Sequence, residues 1–350
     1  MATKAKSEKT VKLNFVPKQV VKRLLAVLPD RAVDVLTRRY GLGKDTGRMT
    51  LEAIGQIYDI TRERVRQIEN YALGAIRKSE SYEKESKAID ELERLINAMG
   101  VVVPEEFFLD EVAKDKSTQN YIHFLLVLGH PFTRFKEDEH FTHRWHIDAD
   151  VARGVEEALK NLYASLPDEE LLSEPELMTR FLSHLKELAD QYRDEEILKR
   201  WLSLSKKIAK SPLGDWGRVE STAVSPRGIR DYAYLVILRH GSPLHFTEVA
   251  KQISKLFDRR AHTATAHNEL IKDQRFVLVG RGLYALSEWG YMQGVVKDVI
   301  VEILKQHGPL TKEEIIDRVL KERYVKGNTI AVNLQDPMFK RTKDGKYALA

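Results

Sequence analysis

The chain is 350 residues long, 31% charged and 43% apolar, with a formal net charge of +5 and a pI near 9.0. That length exceeds one typical core, so roughly two to five modules are expected. The absence of cysteine excludes disulfides, thiolate chemistry and Cys-ligated zinc, and so mild a basic excess permits nucleic-acid binding only where it is clustered.

In chain order, the polar and basic start MATKAKSEKTVK lacks the apolar heart of a signal peptide, and residues 1–17 read as a flexible tail. The richest apolar run, Tyr121 to Gly129, is far shorter than the ~20 residues that cross a bilayer. A cytoplasmic, nucleoid-associated protein without membrane contact is therefore expected. Residues 18–87 are helical in pattern: LPDRAVDVLTRRYGL, the loop KDTGRM, TLEAIGQIYDI, then ITRERVRQIENYALGAIRKS. Asp30, Thr50 and Thr61 each stand where a side-chain oxygen caps a helix start, and Gly41 and Gly43 stop a helix. Helix, short turn, helix is the helix-turn-helix plan.

Residues 88–150 read as a second small module: an amphipathic helix, the strand VVV, two helices, and a hairpin in PFTRFKEDEHFTHRWHI. Residues 151–222 are helix-rich, hold acidic runs such as PDEELLSEPE, and read as a spacer or protein-contact domain. The last third repeats itself. YLVILRHGSPLHFTEVAKQI is followed later by FVLVGRGLYALS, and VIVEILKQHGPLTKEEIIDRVL by FKRTKDGKYALA. Both copies, 223–291 and 292–350, run through helices to a hairpin ending Tyr-Ala-Leu, which is the order of a winged helix. The predicted class is mainly α with small β-hairpin wings: a multidomain chain of one helix-turn-helix and about three winged-helix modules.

With Thr61 as cap, Val65, Ile68, Ala72 and Ile76 form an inward stripe. Arg62, Glu63, Arg66 and Gln67 lie off that stripe near the helix N-terminus, where a helix-turn-helix reads bases. Arg suits guanine edges, Gln adenine, and a carboxylate accepts from cytosine N4. Thr50, Thr61 and Arg64 are the candidates for phosphate contacts. A solvated face is the plainer alternative, but Arg62 and Arg66, four apart, repel in a free helix and so favour an anionic partner.

These residues carry a resemblance. LPDRAVDVLTRRYGL…TLEAIGQIYDITRERVRQIENYALGAIRK, from Leu28 to Lys78, resembles region four of primary bacterial sigma factors. The resemblance implies a domain that reads a −35 promoter element in the major groove and docks on the β-flap of the RNA polymerase core. By position, it makes Arg62, Glu63, Arg66 and Gln67 the base-facing residues, and Leu28 to Leu42 part of the helices that support them and face the flap. Only about 27 residues precede the match, leaving no room for the region that melts the −10 element, so the chain is not expected to act alone as a complete sigma factor. Gly74 stands where that family carries a long basic residue and costs the helix about 1 kcal/mol relative to Ala.

A second resemblance covers Arg227 to Tyr291, where SPLHFTEVAKQI and HNELIKDQRFVLVGRGLYALSEWGY resemble the HARE-type winged helix, found also in the delta subunit of some bacterial RNA polymerases. It implies a DNA- or polymerase-associated adaptor, with Arg259, Arg260, Lys272, Arg275 and Arg281 as a possible basic surface.

Two other signals point to bland readings. GRGLYA, Gly280 to Ala285, fits a dinucleotide formula but lies between two strand-like runs, where it makes a hairpin turn. His140, His143 and His146 are three apart, a spacing that a strand splits across two faces. No phosphate-binding loop, zinc-protease motif or nucleophile elbow is present, so neither an enzyme nor a cofactor, metal site or small-molecule substrate is expected. The expected function is a bacterial DNA-binding transcription factor. The alternatives are a polymerase flap-binding adaptor with little base reading and an architectural or modified-DNA sensor led by the HARE-like module.

Overall fold

The computed structural model describes residues 11–186 and 188–350. The chain divides into two compact units, one running to Ala209 and the other from Lys210 to Ala350. No helix among the described residues is long and apolar enough to cross a membrane.

The first unit begins with a docked segment. Val11, Leu13 and Phe15 pack on the core, and the Asn14 backbone N–H donates to Glu91 Oε1 at 2.8 Å. Residues 1–10 of the expected tail lie outside the described residues. The order is then α1 (Pro17–Leu25), α2 (Asp30–Tyr40), α3 (Leu51–Tyr58), α4 (Arg62–Arg77), α5 (Glu80–Lys84), α6 (Ser86–Ala98), β1 (Val102–Pro104), α7 (Glu105–Val112), α8 (Lys116–Leu128), β2 (Thr133–Phe135) and β3 (Arg144–His146). It closes with α9 (Ala149–Ser165), α10 (Glu174–Leu185), α11 (Leu188–Gln191), α12 (Glu195–Leu202) and β4 (Ile208–Lys210), the strand in which the division between units falls. The three strands β1–β3 form an antiparallel sheet in the order β1-β3-β2, with Val103 and Arg134 both opposite Trp145. Helix, strand, two helices and a hairpin make the 88–150 stretch winged-helix-like.

One apolar core runs through α1, α2, α4 and this second stretch. Leu28, Ala32, Leu36, Tyr40 and Leu42 are buried with Phe108, Phe124, Leu125 and Trp145, and the Tyr40 and Phe124 rings meet edge-on at 5.1 Å. Residues 18–87 and 88–150 therefore share this core, and the first stretch carries a small separate one besides. The reason lies in α8, which is buried from Gln119 to Leu126 and again at Leu128. A helix apolar on every side must be covered on every side. Polar atoms seal the joint. Asn120, fully buried, donates from Nδ2 to the Gly41 and Thr46 carbonyls at 3.0 and 2.9 Å and accepts from Arg48 Nε at 2.9 Å. Arg77 donates to the Leu128 and Val127 carbonyls at 2.9 and 2.8 Å, capping the end of α8.

His123 lies inside this joint, 3.8 Å from Glu105. Burial, with Arg48 nearby, pushes its imidazole down to about 3. Burial, the largest single effect, would raise the Glu105 carboxyl, but the Arg134 hydrogen bond together with the surrounding positive charge holds the group below its ordinary value. Between about 3 and the unfolded value of about 6.5 the folded state binds fewer protons on His123, so stability is full above that window and falls as pH drops through it, by up to about 1.4 kcal/mol per pH unit. His123→Phe is expected to flatten that part of a plot of urea midpoint against pH; an unchanged slope between pH 6.5 and 4 would contradict the assignment.

The helices beyond residue 150 are fastened to the same unit. Arg144, buried on β3, pairs with Glu156 at 2.6 Å, and Trp201 Nε1 donates to the Gly100 carbonyl at 3.0 Å. Residues 204–207 contact the hairpin between β2 and β3, whose tip, Lys136 to Glu139, stays exposed. Phe141 bridges to Ser205, and Lys206 and Lys207 meet Glu137 and Glu139.

The second unit carries β5 (Trp216–Arg218) and then two copies of one plan. The first is α13 (Ile229–His240), β6 (Leu244–His245), α14 (Phe246–Leu256), α15 (Thr263–Lys272), β7 (Phe276–Gly280) and β8 (Leu283–Leu286). The second is α16 (Val296–His307), α17 (Lys312–Glu322), α18 (Gly327–Asn333), β9 (Phe339–Arg341) and β10 (Tyr347–Leu349). The repeated Pro-Leu and Tyr-Ala-Leu phrases meet in space. Leu244 pairs with Tyr284 in one copy and Leu310 with Tyr347 in the other. The molecule is thus mainly helical, with small antiparallel hairpins closing several winged-helix-like modules. GRGLYA is the β7–β8 turn. Gly282 adopts φ +68°, and a Cβ there would come within 2.5 Å of His245 Nε2.

Candidate nucleic-acid interface

The site is built on α3, a tight turn and α4. Thr50 Oγ1 accepts from the Ala53 N–H at 3.1 Å, capping α3. Asp59 in the left-handed region ends that helix, and Thr61 Oγ1 accepts from the Arg64 N–H at 3.2 Å to start the next. The turn is so close that a Cβ on Gly55 would lie 2.6 Å from the Ile60 carbonyl oxygen. A small core of Val35, Ile54 and Val65, with Ile60 and Ile68 beside it, fixes α4 against α2 and α3. Behind it, Tyr40 donates to the buried Glu69 at 2.7 Å.

The opposite face of α4 is open. Arg62, Glu63, Arg64, Arg66 and Gln67 are all exposed. Arg66 donates twice to Glu63, at 2.8 and 2.6 Å, and Arg64 Nη1 donates to Gln67 Oε1 at 3.0 Å. That pairing holds the Glu63 carboxyl below its ordinary value and raises the Arg66 guanidinium. It also answers the expected Arg62–Arg66 repulsion, because Glu63 lies between the two charges. The row presents a forked guanidinium, a carboxylate and an amide within two turns, with free donor and acceptor capacity toward solvent. Farther along the helix Tyr71 is 66% exposed, and a side chain on Gly74 would meet nothing within 4 Å.

A scan against family models matches residues 24–78 to "Sigma-70, region 4". This stretch is a sigma-70 region 4 helix-turn-helix. The RNA polymerase sigma factor SigA of Nostoc sp. is 55% identical over 58 residues, which are 16% of this chain and 14% of that protein. SigA of Microcystis aeruginosa matches at the same identity and coverage. The sigma factor RpoD of Neisseria gonorrhoeae is 44% identical over 59 residues, 17% of this chain and 9% of that protein. The chain thus spans only a small part of the relatives it matches, and the likeness is confined to region 4.

The expected secondary basic surface is dispersed. Arg259 and Arg260 lie in the α14–α15 connection, with Arg259 over the Tyr232 ring at 5.1 Å. Lys272 ends α15, and Arg281 is exposed in the β7–β8 turn. Arg275 faces the fold. It pairs with Asp273 at 2.7 Å and Asp231 at 2.8 Å, bonds Thr222 at 3.0 Å and lies over the Tyr234 ring. The three histidines have separate surroundings. His146 is buried against the Phe135 ring and His143 Nδ1 accepts from the Glu137 N–H. Among the described residues no three His, Asp or Glu are placed to hold a metal ion.

Residues that position region 4, above all Asn120 and Arg48, were not singled out in the sequence. The available signal was the run from Tyr121 to Gly129, apolar on all sides and preceded by two amides.

Proposed function

We propose that the chain is a bacterial DNA-binding transcription factor whose region 4 reads a −35-like promoter element in the major groove. The observation that carries this reading is the exposed row Arg62, Glu63, Arg66 and Gln67 at the capped N-terminal end of α4. Arg66 and Arg62 would address guanine edges, Gln67 adenine, and Glu63 a cytosine amino group. Thr50, Thr61 and Arg64 would hold phosphates, the two helix starts adding their backbone N–H groups. No chemical step is assigned to the chain; its work is binding.

The second stretch, 88–150, would serve as a brace and not as a reader, because its third helix α8 is buried. DNA or polymerase contacts by the tandem modules would therefore come from residues 223–350. There the HARE-like copy leaves Thr263, Thr265 and Asn268 of α15 exposed. Linked weak binders in one chain raise each other's effective concentration. The alternative, a flap-binding adaptor, has less support, since the apolar sides of α1 and α2 are already spent in the chain's own core.

Selection of random duplexes by the full chain, with sequencing of what binds, tests the reading. A sharp motif near TTGAC is expected. General, salt-sensitive binding without a motif would overturn it.

A further inference from the structure

The second unit carries a cleft that the α4 reading does not use. A hollow of about 880 Å³ lies between β7 with its following turn, residues 294–296 and the α17–α18 connection. A smaller one, about 570 Å³, shares Leu278, Gly294 and Val295 with it and extends along β7 to Ile271. Apolar side chains that folding normally covers stand open here: Leu278 is 47% exposed, Val295 62%, Leu320 44% and Tyr324 54%. Such clustering marks a contact surface rather than scattered surface residues.

The larger hollow is basic, whereas the smaller one is mixed, with Lys272, Asp273 and Asp298 in its lining. Arg281, Arg323 and Lys326 line the larger hollow, and no carboxylate does. Arg323 is buried, yet its guanidinium is held by the carbonyls of Glu322, Met292 and Gly294 and by no ion pair. The wall itself is a strand edge. In the sheet order β6-β8-β7, β7 is terminal. Among the described residues its outer side carries one bridge, Gly280 to Tyr324, with the Tyr324 N–H donating to the Val279 carbonyl at 2.7 Å. The part of that edge left open, Phe276 to Leu278, lies beside exposed apolar side chains and accepts an added strand. Aliphatic lining suits alternating side chains better than stacked bases, and unpaired cations suit carboxylates.

We propose that this cleft docks an extended acidic peptide of a partner protein as an added strand on β7, its apolar side chains over Leu278, Val295 and Leu320 and its carboxylates toward Arg281 and Lys326. The site is independent of α4 and stands whether or not α4 reads DNA.

The test is to pan the full chain against a phage-displayed random dodecamer library and to titrate a synthetic copy of the enriched peptide. Enriched sequences are expected to alternate apolar and acidic residues. Leu278→Asp and Lys326→Glu, both at exposed positions, are each expected to weaken binding about tenfold or more with melting curves unchanged. Lys326→Glu keeps the test open should the Leu278 variant fold poorly. No enrichment, or peptides that bind both variants as well as the parent, would overturn the proposal. So would oligothymidylate binding that the variants abolish while no peptide is enriched, which would make the cleft a nucleic-acid surface.

Discussion

Arg66→Ala is expected to cost the full chain about 1–3 kcal/mol of preference for its selected duplex over a scrambled one, roughly 5- to 150-fold. The magnitude follows from a forked contact with one base pair. The bond to Glu63 complicates the result, because removing Arg66 also leaves that carboxylate unpaired toward an anionic partner. That second effect weakens binding to every sequence. Glu63→Gln combined with Arg66→Ala should recover the general loss and, because Glu63 is itself a proposed base reader, recover none of the lost preference. Fluorescence anisotropy on both duplexes at one salt concentration measures the two effects. Equal losses on preferred and scrambled DNA would sink the base-reading role of Arg66.

A second large effect lies far from the reading face. Phe124 is fully buried in the core that α1, α2 and α4 share with α8. Phe124→Ala removes a ring from that joint and should destabilise the first unit by about 3–5 kcal/mol. Because the core is continuous, α4 and α8 should lose protection together in hydrogen exchange. Loosening of α8 with α4 unchanged would show that the helix-turn-helix is held independently. The same continuity means that a fragment of residues 18–87 would expose Leu24, Leu36 and Ile76 to water, so binding is best measured on the full chain.

Local chemistry was readable in the sequence. Thr50 and Thr61 sit where side-chain caps were expected, the Gly-rich turn fell at β7–β8, and the repeated Pro-Leu and Tyr-Ala-Leu phrases became paired strands. The exposed stripe of α4 followed from its inward stripe, since one fixes the other by helical period. What escaped depends on long-range contact. Arg275 is neutralised by Asp273, two positions away and visible in the sequence, and by Asp231, 44 positions earlier, which local sequence does not show. The largely buried α8 packs against two stretches at once, a choice that sequence spacing cannot express.

Base reading is tested most directly across the contact itself. Each guanine of the selected duplex is replaced in turn by 7-deazaguanine, which lacks the N7 acceptor, and binding is compared for the parent chain and Arg66→Ala. At one position the parent should lose about tenfold, and Arg66→Ala should lose almost nothing further. Losses that add at every guanine, or no loss at any of them, would contradict the claim that α4 reads bases through Arg66.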